Sequence, residues 1–149
     1  MKKARVLFLC TRNSARSQMA EAFLRKYADD KFEVLSAGLE PDEIHPYTKK
    51  VMAEIGIDIS DQYSKPLKQF MGKVLIGYLI TVCDKAEKLC PSFPGISVRL
   101  HWPFADPAIN EGTEEDKIER FRCVRDQIES KIKSWLKEPQ NDEKLITVI

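Results

Sequence analysis

The chain has 149 residues, 43% of them hydrophobic and 32% charged, and a formal net charge of +1. This length and composition are typical of one globular domain with a substantial core, and the small net charge argues against a nucleic acid or an anionic membrane as partner. No apolar run approaches the ~18 residues that cross a bilayer. The apolar run near the N-terminus ends at Cys10, too early for a signal peptide, so we expect a cytoplasmic protein whose four cysteines form no structural disulfides.

The first part of the chain has the pattern of a β-α-β unit. A short apolar run predicts a strand over Arg5–Leu9, and apolar residues at helical spacing predict a helix from Ser17 to about Tyr27. A second strand is expected over Phe32–Ala37, ending at Gly38. A strand, a helix and a strand over this length predict a parallel sheet, because parallel neighbours need a crossover connection.

Strand and helix patterns continue to alternate in the rest of the chain. Helical spacing predicts helices over Pro46–Gly56 and Glu114–Leu136, and the stretch Ser64–Met71 has room for a short one. Runs rich in β-branched residues predict the third and fourth strands at Val74–Val82 and Ser97–Leu100. This order of elements predicts an α/β fold.

The segment between the first strand and the first helix carries the strongest functional signal. Its residues are Cys10, Thr11, Arg12, Asn13, Ser14, Ala15, Arg16 and Ser17. The first N–H groups of a helix lack intrahelical partners and, with the helix dipole, attract anions, while Arg16 adds a bidentate fork. The same positive field favours a thiolate, so we expect Cys10 to have a lowered pKa and to be a nucleophile.

That interpretation competes with a plainer one. A lone cysteine after a buried strand is usually a small core residue, and Ser17 could simply cap the helix. The strand before Cys10, the helix after it and the polar residues between them favour an oxyanion-binding loop with a nucleophilic cysteine at its base.

A pair of thiols, Cys83 and Cys90, follows the third predicted strand. On a helix, residues seven positions apart lie ~10 Å apart along the axis, whereas a disulfide needs Cα atoms within ~7 Å. Either the pair never bridges, or its segment unwinds to allow it. Zinc is a weaker alternative because the spacing is not that of a zinc site, and two unrelated surface cysteines are the plainest one. Beside an activated Cys10, a thiol relay is the better interpretation.

An acidic residue, Asp106, precedes a proline just after the fourth predicted strand. Ligands of open parallel sheets bind beyond the carboxyl ends of the strands, so Asp106 and Cys83 should lie at the same edge as Cys10. An acid in a rigid loop beside an anion site can protonate a leaving oxygen. Ordinary turn chemistry is the alternative, since Asp-Pro is common in turns.

Several stretches of the sequence carry a combined resemblance to a known family. They are Val6–Gln18, Met19–Glu21, Ser36–Gly38, Asp58–Ser60, Cys83 with Cys90, and His101–Trp102 with Asp106–Pro107. Together they resemble the thioredoxin-coupled arsenate reductases, which share the fold of the low-molecular-weight protein tyrosine phosphatases. The resemblance extends from about Lys3 to Leu136. The anion loop alone does not separate reductases from phosphatases, whereas the added thiol pair does.

The resemblance implies an architecture and a set of partners. The fold would be a single α/β domain with a four-stranded parallel sheet in the order 2-1-3-4, flanked by helices, with a phosphatase-type anion-binding loop after strand 1. The domain would span residues 1–138, and residues 139–149 would form a C-terminal tail. The chain would be a monomer that binds arsenate, with phosphate or sulfate as competing oxyanions. It would hold no bound cofactor or metal, and reduced thioredoxin or a thioredoxin-like protein would be its electron donor.

The resemblance also implies a mechanism of arsenic detoxification. Cys10 would attack arsenate held by the loop and Arg16, while Asp106 protonates the departing oxygen. Cys83 would then attack Cys10, which releases arsenite and leaves a disulfide between the two. Cys90 would attack Cys83 in turn, moving the disulfide to Cys83–Cys90 for reduction by thioredoxin.

The sequence departs from that family at positions near the loop. Arg12 stands where glycine is common. Some reductases of the family bind potassium beneath the loop, with residues that match Asn13, Glu21 and Ser36. The acid of that site is replaced here by Lys65, and we expect its ammonium group to replace the ion and pair with Glu21.

The main alternative function is that of a low-molecular-weight protein tyrosine phosphatase, which would hydrolyse aryl phosphates through a Cys10 phosphoenzyme. Two features favour the reductase. Cys83 and Cys90 have no task in hydrolysis, and Ala108–Asn110 stand where phosphatases of this fold commonly place aromatic residues. A weak phosphatase side activity is still expected. A non-catalytic anion sensor is a third reading, but it would leave Cys10 idle.

Overall fold

Strands and helices alternate along the chain in the structure, a computed structural model that describes residues 3–138. The strands are β1 (Ala4–Cys10), β2 (Phe32–Gly38), β3 (Ile76–Thr81) and β4 (Ile96–His101). The helices are α1 (Arg16–Ala28), α2 (Pro46–Ala53), α3 (Asp84–Leu89) and α4 (Glu114–Lys137), with a short 3-10 helix at Leu67–Gln69. All strand pairs are parallel and the order is β2-β1-β3-β4, which confirms the predicted fold class.

Strand β1 lies at the centre of the core. Consecutive residues Val6 to Leu9 are fully buried, so both faces of this strand are covered. An unbroken apolar run is typical of a central strand in a parallel sheet, where alternation with polar residues is lost. The strand therefore delivers Cys10 to the carboxyl edge of the sheet from a rigid position.

Helix α4 closes one face of the sheet. Its first turn has a capping box, in which Thr113 accepts the backbone N–H of Asp116 and Asp116 accepts that of Thr113. Near its end, the ring of Trp135 lies 5.5 Å from Phe32 and 5.2 Å from Tyr78, centroid to centroid. The face predicted from helical spacing is thus the buried face of α4, and its Trp135 packs on the sheet.

Some boundaries differ from those expected. Helix α2 ends at Ala53, because the next residues close a turn that includes Gly56 with a positive φ of 79°. Strand β3 begins at Ile76 rather than Val74, since the N–H of Val74 bonds to the carbonyl of Phe70 in a turn. The expected short helix is only the 3-10 turn, and the proposed tail, residues 139–149, lies outside the described residues.

The segment that the sequence left undecided, between Cys83 and Cys90, forms helix α3. Cys10, Cys83 and the Asp106 loop all follow carboxyl ends of parallel strands, so the topology collects them at one edge of the sheet. Among the described helices, none combines the length and the hydropathy that a membrane span requires.

Candidate active site

The loop between β1 and α1 directs its carbonyl groups outward. Backbone N–H groups of the segment 39–45 bond to these carbonyls at 2.8–3.2 Å. The pairs, carbonyl first, are Cys10 with Leu39, Thr11 with Glu40, Arg12 with Asp42, and Ser14 with His45. Because C=O and N–H point in opposite directions across a trans peptide, the N–H groups of the same peptide units face the other way. The loop thus presents a row of N–H donors to its enclosed side.

Close backbone contact behind the loop requires a glycine. A Cβ atom on Gly38 would lie 2.8 Å from the carbonyl oxygen of Thr11 and 2.9 Å from the backbone nitrogen of Asn13. Real Cβ atoms do not approach backbone atoms this closely, so any larger residue would push the loop away from β2. Gly38, the last residue of the Ser36–Gly38 motif, therefore allows the loop backbone to pack directly against β2.

Asn13 shapes the loop from beneath. Its φ of 54° is in the left-handed region, which asparagine tolerates better than most residues. Its side-chain nitrogen donates to Ser17 at 2.7 Å and to Ser36 at 3.0 Å, and its side-chain oxygen accepts the Lys65 N–H at 2.9 Å. The structure therefore places the side chains of Asn13 and Ser17 below the loop, outside the cavity lining, where they hold the donors in position.

The loop forms the floor of a cavity of about 580 Å³. Most of the site residues predicted from the sequence line it: Cys10, Thr11, Arg12, Ser14, Ala15, Arg16, Cys83 and Asp106. The remaining lining residues are Asp42, Glu43, His45, Asp84, Lys85, Phe104, Ala105 and Ala108. Cys90 is not among them. The predicted anion-loop residues, the second thiol and the candidate acid therefore meet in one cavity, and the third thiol stands apart.

Arg16 is held at the wall of this cavity. Its Nη1 donates to the carbonyl of Phe104 at 3.0 Å, and its Nη2 lies 4.0 Å from a carboxylate oxygen of Asp106. The Nε is buried and has no hydrogen-bond partner within residues 3–138. A buried, unsatisfied guanidinium donor beside a row of backbone N–H groups is well suited to an oxyanion.

Asp106 is fixed at the mouth of the cavity. Its Oδ1 accepts the backbone N–H of Ala108 at 2.9 Å, and the side chain is half-exposed. The carboxyl group is thus oriented by its own turn and stands beside Arg16, where it can exchange a proton with solvent and with a bound oxyanion.

Cys10 and Cys83 are two buried thiols that line the cavity and shift each other's pKa. The hydrogen bond from Cys10 lowers the pKa of Cys83 to about 5, and Thr11 at 3.4 Å, the N–H of Ala86 at 3.4 Å and the charge of Arg16 act in the same direction. The same hydrogen bond and burial raise the pKa of Cys10, against the field of Arg16. The pKa of Cys83 is therefore lowered and that of Cys10 raised, which favours the thiolate at Cys83.

This distribution of charge corrects the expectation of a lowered pKa for Cys10. The loop does lie beside a helix N-terminus and Arg16, as expected, but Cys83 is close enough to take the charge first. Two adjacent buried thiolates would repel each other, so only one of the two sulfurs ionises. The neighbour that decides the outcome is 73 positions away in sequence, and no local pattern shows that contact.

Cys90 lies at the far end of α3. Its Sγ donates to the carbonyl of Pro91 at 3.5 Å, and burial raises its pKa. Cys83 caps the start of the same helix and Cys90 caps its end. With α3 intact, the two thiols are ~10 Å apart along the axis, so no disulfide forms between them in this conformation.

Lys65 occupies the position beneath the loop that the sequence predicted. Its Nζ donates to the carbonyl of Tyr63 at 2.7 Å and to Ser36 at 3.4 Å, and it lies 3.6 Å from the carboxylate of Glu21. The side chains of Lys65 and Glu21 are almost fully buried. Burial lowers the pKa of Lys65, and Glu21 opposes that effect. The predicted pairing with Glu21 is confirmed.

Two histidines to which the sequence pattern assigned no role lie in or near the site. His45 lines the cavity and accepts the backbone N–H of Tyr47 at 3.0 Å as the N-cap of α2, and burial lowers its pKa; its place before Pro46 was an available signal. His101 contacts Asp84 on α3, for which the sequence holds no signal. Within the part of the chain that the structure describes, no three His, Cys, Asp or Glu side chains are grouped to hold a metal ion.

Comparison with known proteins identifies one family, and the similar proteins described below are arsenate reductases. The family model described as low molecular weight phosphotyrosine protein phosphatase matches residues 5–145. An arsenate reductase of Halalkalibacterium halodurans is 45% identical over 135 residues, which cover 91% of this chain and 96% of that protein. A solved arsenate reductase in a phosphate-binding state superposes with a TM-score of 0.75 at 34% identity and covers 89% of this chain and 96% of that one. A thioredoxin-dependent arsenate reductase of Corynebacterium glutamicum superposes with a TM-score of 0.58 at 32% identity, over 89% of this chain and 63% of that one.

Proposed function

The chain belongs to the low molecular weight phosphotyrosine protein phosphatase family, and from that premise we propose that it is an arsenate reductase that converts arsenate to arsenite in arsenic detoxification. One observation carries the proposal beyond the family. A second buried thiol, Cys83, lines the same cavity as Cys10. Hydrolysis has no use for that thiol, whereas a reduction needs it. The relatives named arsenate reductase support the same activity.

In the first step, arsenate binds to the N–H groups of the loop and to Arg16. As the Cys10 sulfur attacks arsenic, its proton passes along the existing hydrogen bond to Cys83. A sulfur–arsenic bond forms, and an arsenate oxygen leaves as water with a proton from Asp106. Phosphate and sulfate compete for the loop because they have the same shape and similar charge.

In the second step, Cys83 passes the proton that it received to an oxygen of the bound arsenic and, as the thiolate, attacks the sulfur of Cys10. Its thiolate form is favoured by the contacts with Thr11 and with the N–H of Ala86. The sulfur–sulfur bond forms as the sulfur–arsenic bond breaks, and the electron pair of the broken bond stays on arsenic. Arsenic is thereby reduced by two electrons and leaves as arsenite, while Cys10 and Cys83 are oxidised to a disulfide.

In the third step, the Cys90 thiolate attacks the sulfur of Cys83 and expels the Cys10 thiolate. This attack requires α3 to unwind so that Cys83 and Cys90 meet, and it moves the disulfide from Cys10–Cys83 to Cys83–Cys90. Reduced thioredoxin, or a thioredoxin-like protein, then supplies two electrons and restores both thiols. The relative named as thioredoxin-dependent supports this donor. The chain needs no bound cofactor for this cycle, and we expect it to act as a monomer in the cytoplasm, where thiols are kept reduced.

The test is arsenate-dependent consumption of NADPH, coupled through thioredoxin and thioredoxin reductase. The wild type should turn over continuously. Cys90→Ser should complete about one event per molecule, because the Cys10–Cys83 disulfide then has no route to thioredoxin. Mass spectrometry of the stalled variant should find that disulfide.

Hydrolysis of aryl phosphates is a second candidate function, because the site contains the groups that this reaction needs. The anion loop, Arg16 and Asp106 are all in place, and phosphate bound by the loop could be attacked by Cys10 in the same way. A weak phosphatase activity should accompany the reductase. If the wild type consumes no NADPH with arsenate, yet it and Cys90→Ser cleave an aryl phosphate equally well, the chain is a phosphatase and the relay is wrong.

A further inference from the structure

Helix α3 is tied to the ends of β3 and β4 by side chains that no chemical step uses. His101, the last residue of β4, is central to these contacts. Its Nε2 lies 3.1 Å from the carboxylate of Asp84, and its Nδ1 lies 2.8 Å from the hydroxyl of Thr81 and 3.7 Å from the carboxylate of Glu87. One imidazole ring thus joins the first turn of α3 to the ends of two strands.

A second set of contacts holds the next turn of the helix. Arg99 donates to the backbone carbonyl of Glu87 at 2.9 Å and lies 3.4 Å from its carboxylate. The hydroxyl of Thr81 donates to the same carboxylate. We call these residues, Thr81, Asp84, Glu87, Arg99 and His101, the α3 clasp.

The clasp is needed because α3 is too short to be stable as an isolated helix. The helix has six residues, only one of which, Ala86, is buried, and isolated helices of this length do not persist in water. Residues outside α3 must therefore supply the free energy that keeps it helical. The clasp fixes both of its turns to the sheet, one of them through the backbone carbonyl of Glu87.

The clasp also opposes the last disulfide of the relay. Cys83 and Cys90 lie at opposite ends of α3 and must approach until their Cα atoms are within ~7 Å. That approach unwinds the helix, which separates Glu87 from Arg99 and Asp84 from His101. The clasp contacts made with α3 are therefore present in the dithiol form and lost when the helix unwinds.

From this geometry we propose that His101 is a positioning residue whose contacts with α3 set the equilibrium between the Cys83–Cys90 dithiol and its disulfide. The proposal rests on the proposed function, since it concerns the disulfide of that relay. By favouring the dithiol, the clasp keeps Cys83 beside Cys10 before arsenate binds. It also makes the final disulfide easier to reduce, so that the electron donor recycles the enzyme readily.

The test is the equilibrium of this disulfide with glutathione. Cys10→Ser and Cys123→Ser leave Cys83 and Cys90 as the remaining thiols of the chain. In each reaction, two glutathione molecules are oxidised to glutathione disulfide as the protein disulfide is reduced to two thiols. Graded ratios of reduced to oxidised glutathione, followed by acid quenching and intact-mass counting of free thiols, give the equilibrium constant.

In that background, His101→Ala should shift the equilibrium toward the disulfide by about tenfold, which corresponds to about 30 mV more negative reduction potential for a two-electron couple. Asp84→Asn should shift it in the same direction by a smaller factor and serves as a second variant should His101→Ala fold poorly. Lys88→Ala is the matched control, since Lys88 is exposed on the same helix and takes no part in the clasp. It should change the constant by less than about twofold.

This readout separates positioning from general stabilisation. A residue that merely stabilises the fold supports the dithiol and disulfide forms alike, so its loss lowers the melting temperature without moving their ratio. If His101→Ala and Asp84→Asn both leave the ratio as in the background protein, the clasp proposal is wrong while the relay stands. If the background protein forms no Cys83–Cys90 disulfide even in oxidised glutathione alone, both the relay and the clasp are wrong.

Discussion

The loop between β1 and α1 and the helix α3 line the same cavity, but they are held in different ways. Beneath the loop, Asn13, Ser17 and Ser36 are fully buried and bonded to one another. On α3, only Ala86 is buried, Leu89 is 58% exposed, and the helix is held by partly exposed polar contacts. One region is supported from within the core and the other is attached at the surface.

The difference fits the two chemical tasks of the proposed reaction. Donors that bind an oxyanion must stay within a fraction of an ångström of their places, because misplacement is costly in rate. A relay between thiols at the two ends of a helix needs a segment that opens at low cost. The fold places the rigid loop after the central strand β1. It places α3, the helix that must open in the proposed relay, after the neighbouring strand β3.

The largest effect should come from breaking the rigid region at Gly38. In Gly38→Ala, a Cβ 2.8 Å from the carbonyl of Thr11 must displace the loop, and turnover with arsenate should fall by about a thousandfold, as when an oxyanion donor is removed. The equilibrium of the Cys83–Cys90 disulfide should be unchanged. Gly77→Ala is the control, since its Cβ meets backbone at 3.2 Å near the start of β1, far from the cavity. A fully active Gly38→Ala enzyme would show that the loop tolerates movement.

The next largest effect should come from removing the buried Lys65 ammonium group beneath the loop. Lys65→Met leaves the buried carboxylate of Glu21 with only Arg25 as a charged partner, and the free energy of unfolding should fall by about 3 kcal/mol. Urea denaturation measures it, with Lys68→Met, at an exposed position, as the control.

The same lysine predicts the response to cations. Because the Lys65 ammonium group already lies between Glu21 and Ser36, the wild type should be equally active in potassium and in sodium at equal ionic strength. A strong and specific rise with potassium would contradict replacement of the ion by Lys65.

The smallest effect concerns the pKa of Cys83, which depends on Cys10 in the other region. The Cys83 thiolate should titrate with a pKa of about 5, so ultraviolet thiolate absorbance should fall as the pH is lowered through that value. Cys10→Ala removes the hydrogen bond that contributes most to this pKa, and the pKa should rise toward the ~8.5 of an ordinary thiol. If the pKa reaches that value, the Cys83 thiolate at neutral pH should decrease by about thirtyfold. Cys90→Ser should leave the transition in place, and a low-pH transition that survives in Cys10→Ala would assign the charge to another group.

The local parts of this protein were predictable from its sequence. The apolar run ending at Cys10, the polar loop up to Arg16 and the helix after it are contiguous, so period and residue type are enough to identify a strand, an anion loop and a helix. The order of strands and helices implied a parallel sheet. Since ligands bind beyond the carboxyl ends of such strands, Cys83 and Asp106 were predicted to lie at the same sheet edge as Cys10. Family resemblance supplied the sheet order and the pairing of Lys65 with Glu21.

What the tertiary structure alone decided is how those parts act on each other. The pKa of Cys83 is lowered and that of Cys10 raised because β1 and β3 are adjacent and bring the two thiols to one cavity. The segment after Cys83 is helical, and it is held by His101 from another strand. A pKa and the stability of a short helix depend on neighbours in space, which a linear pattern does not contain.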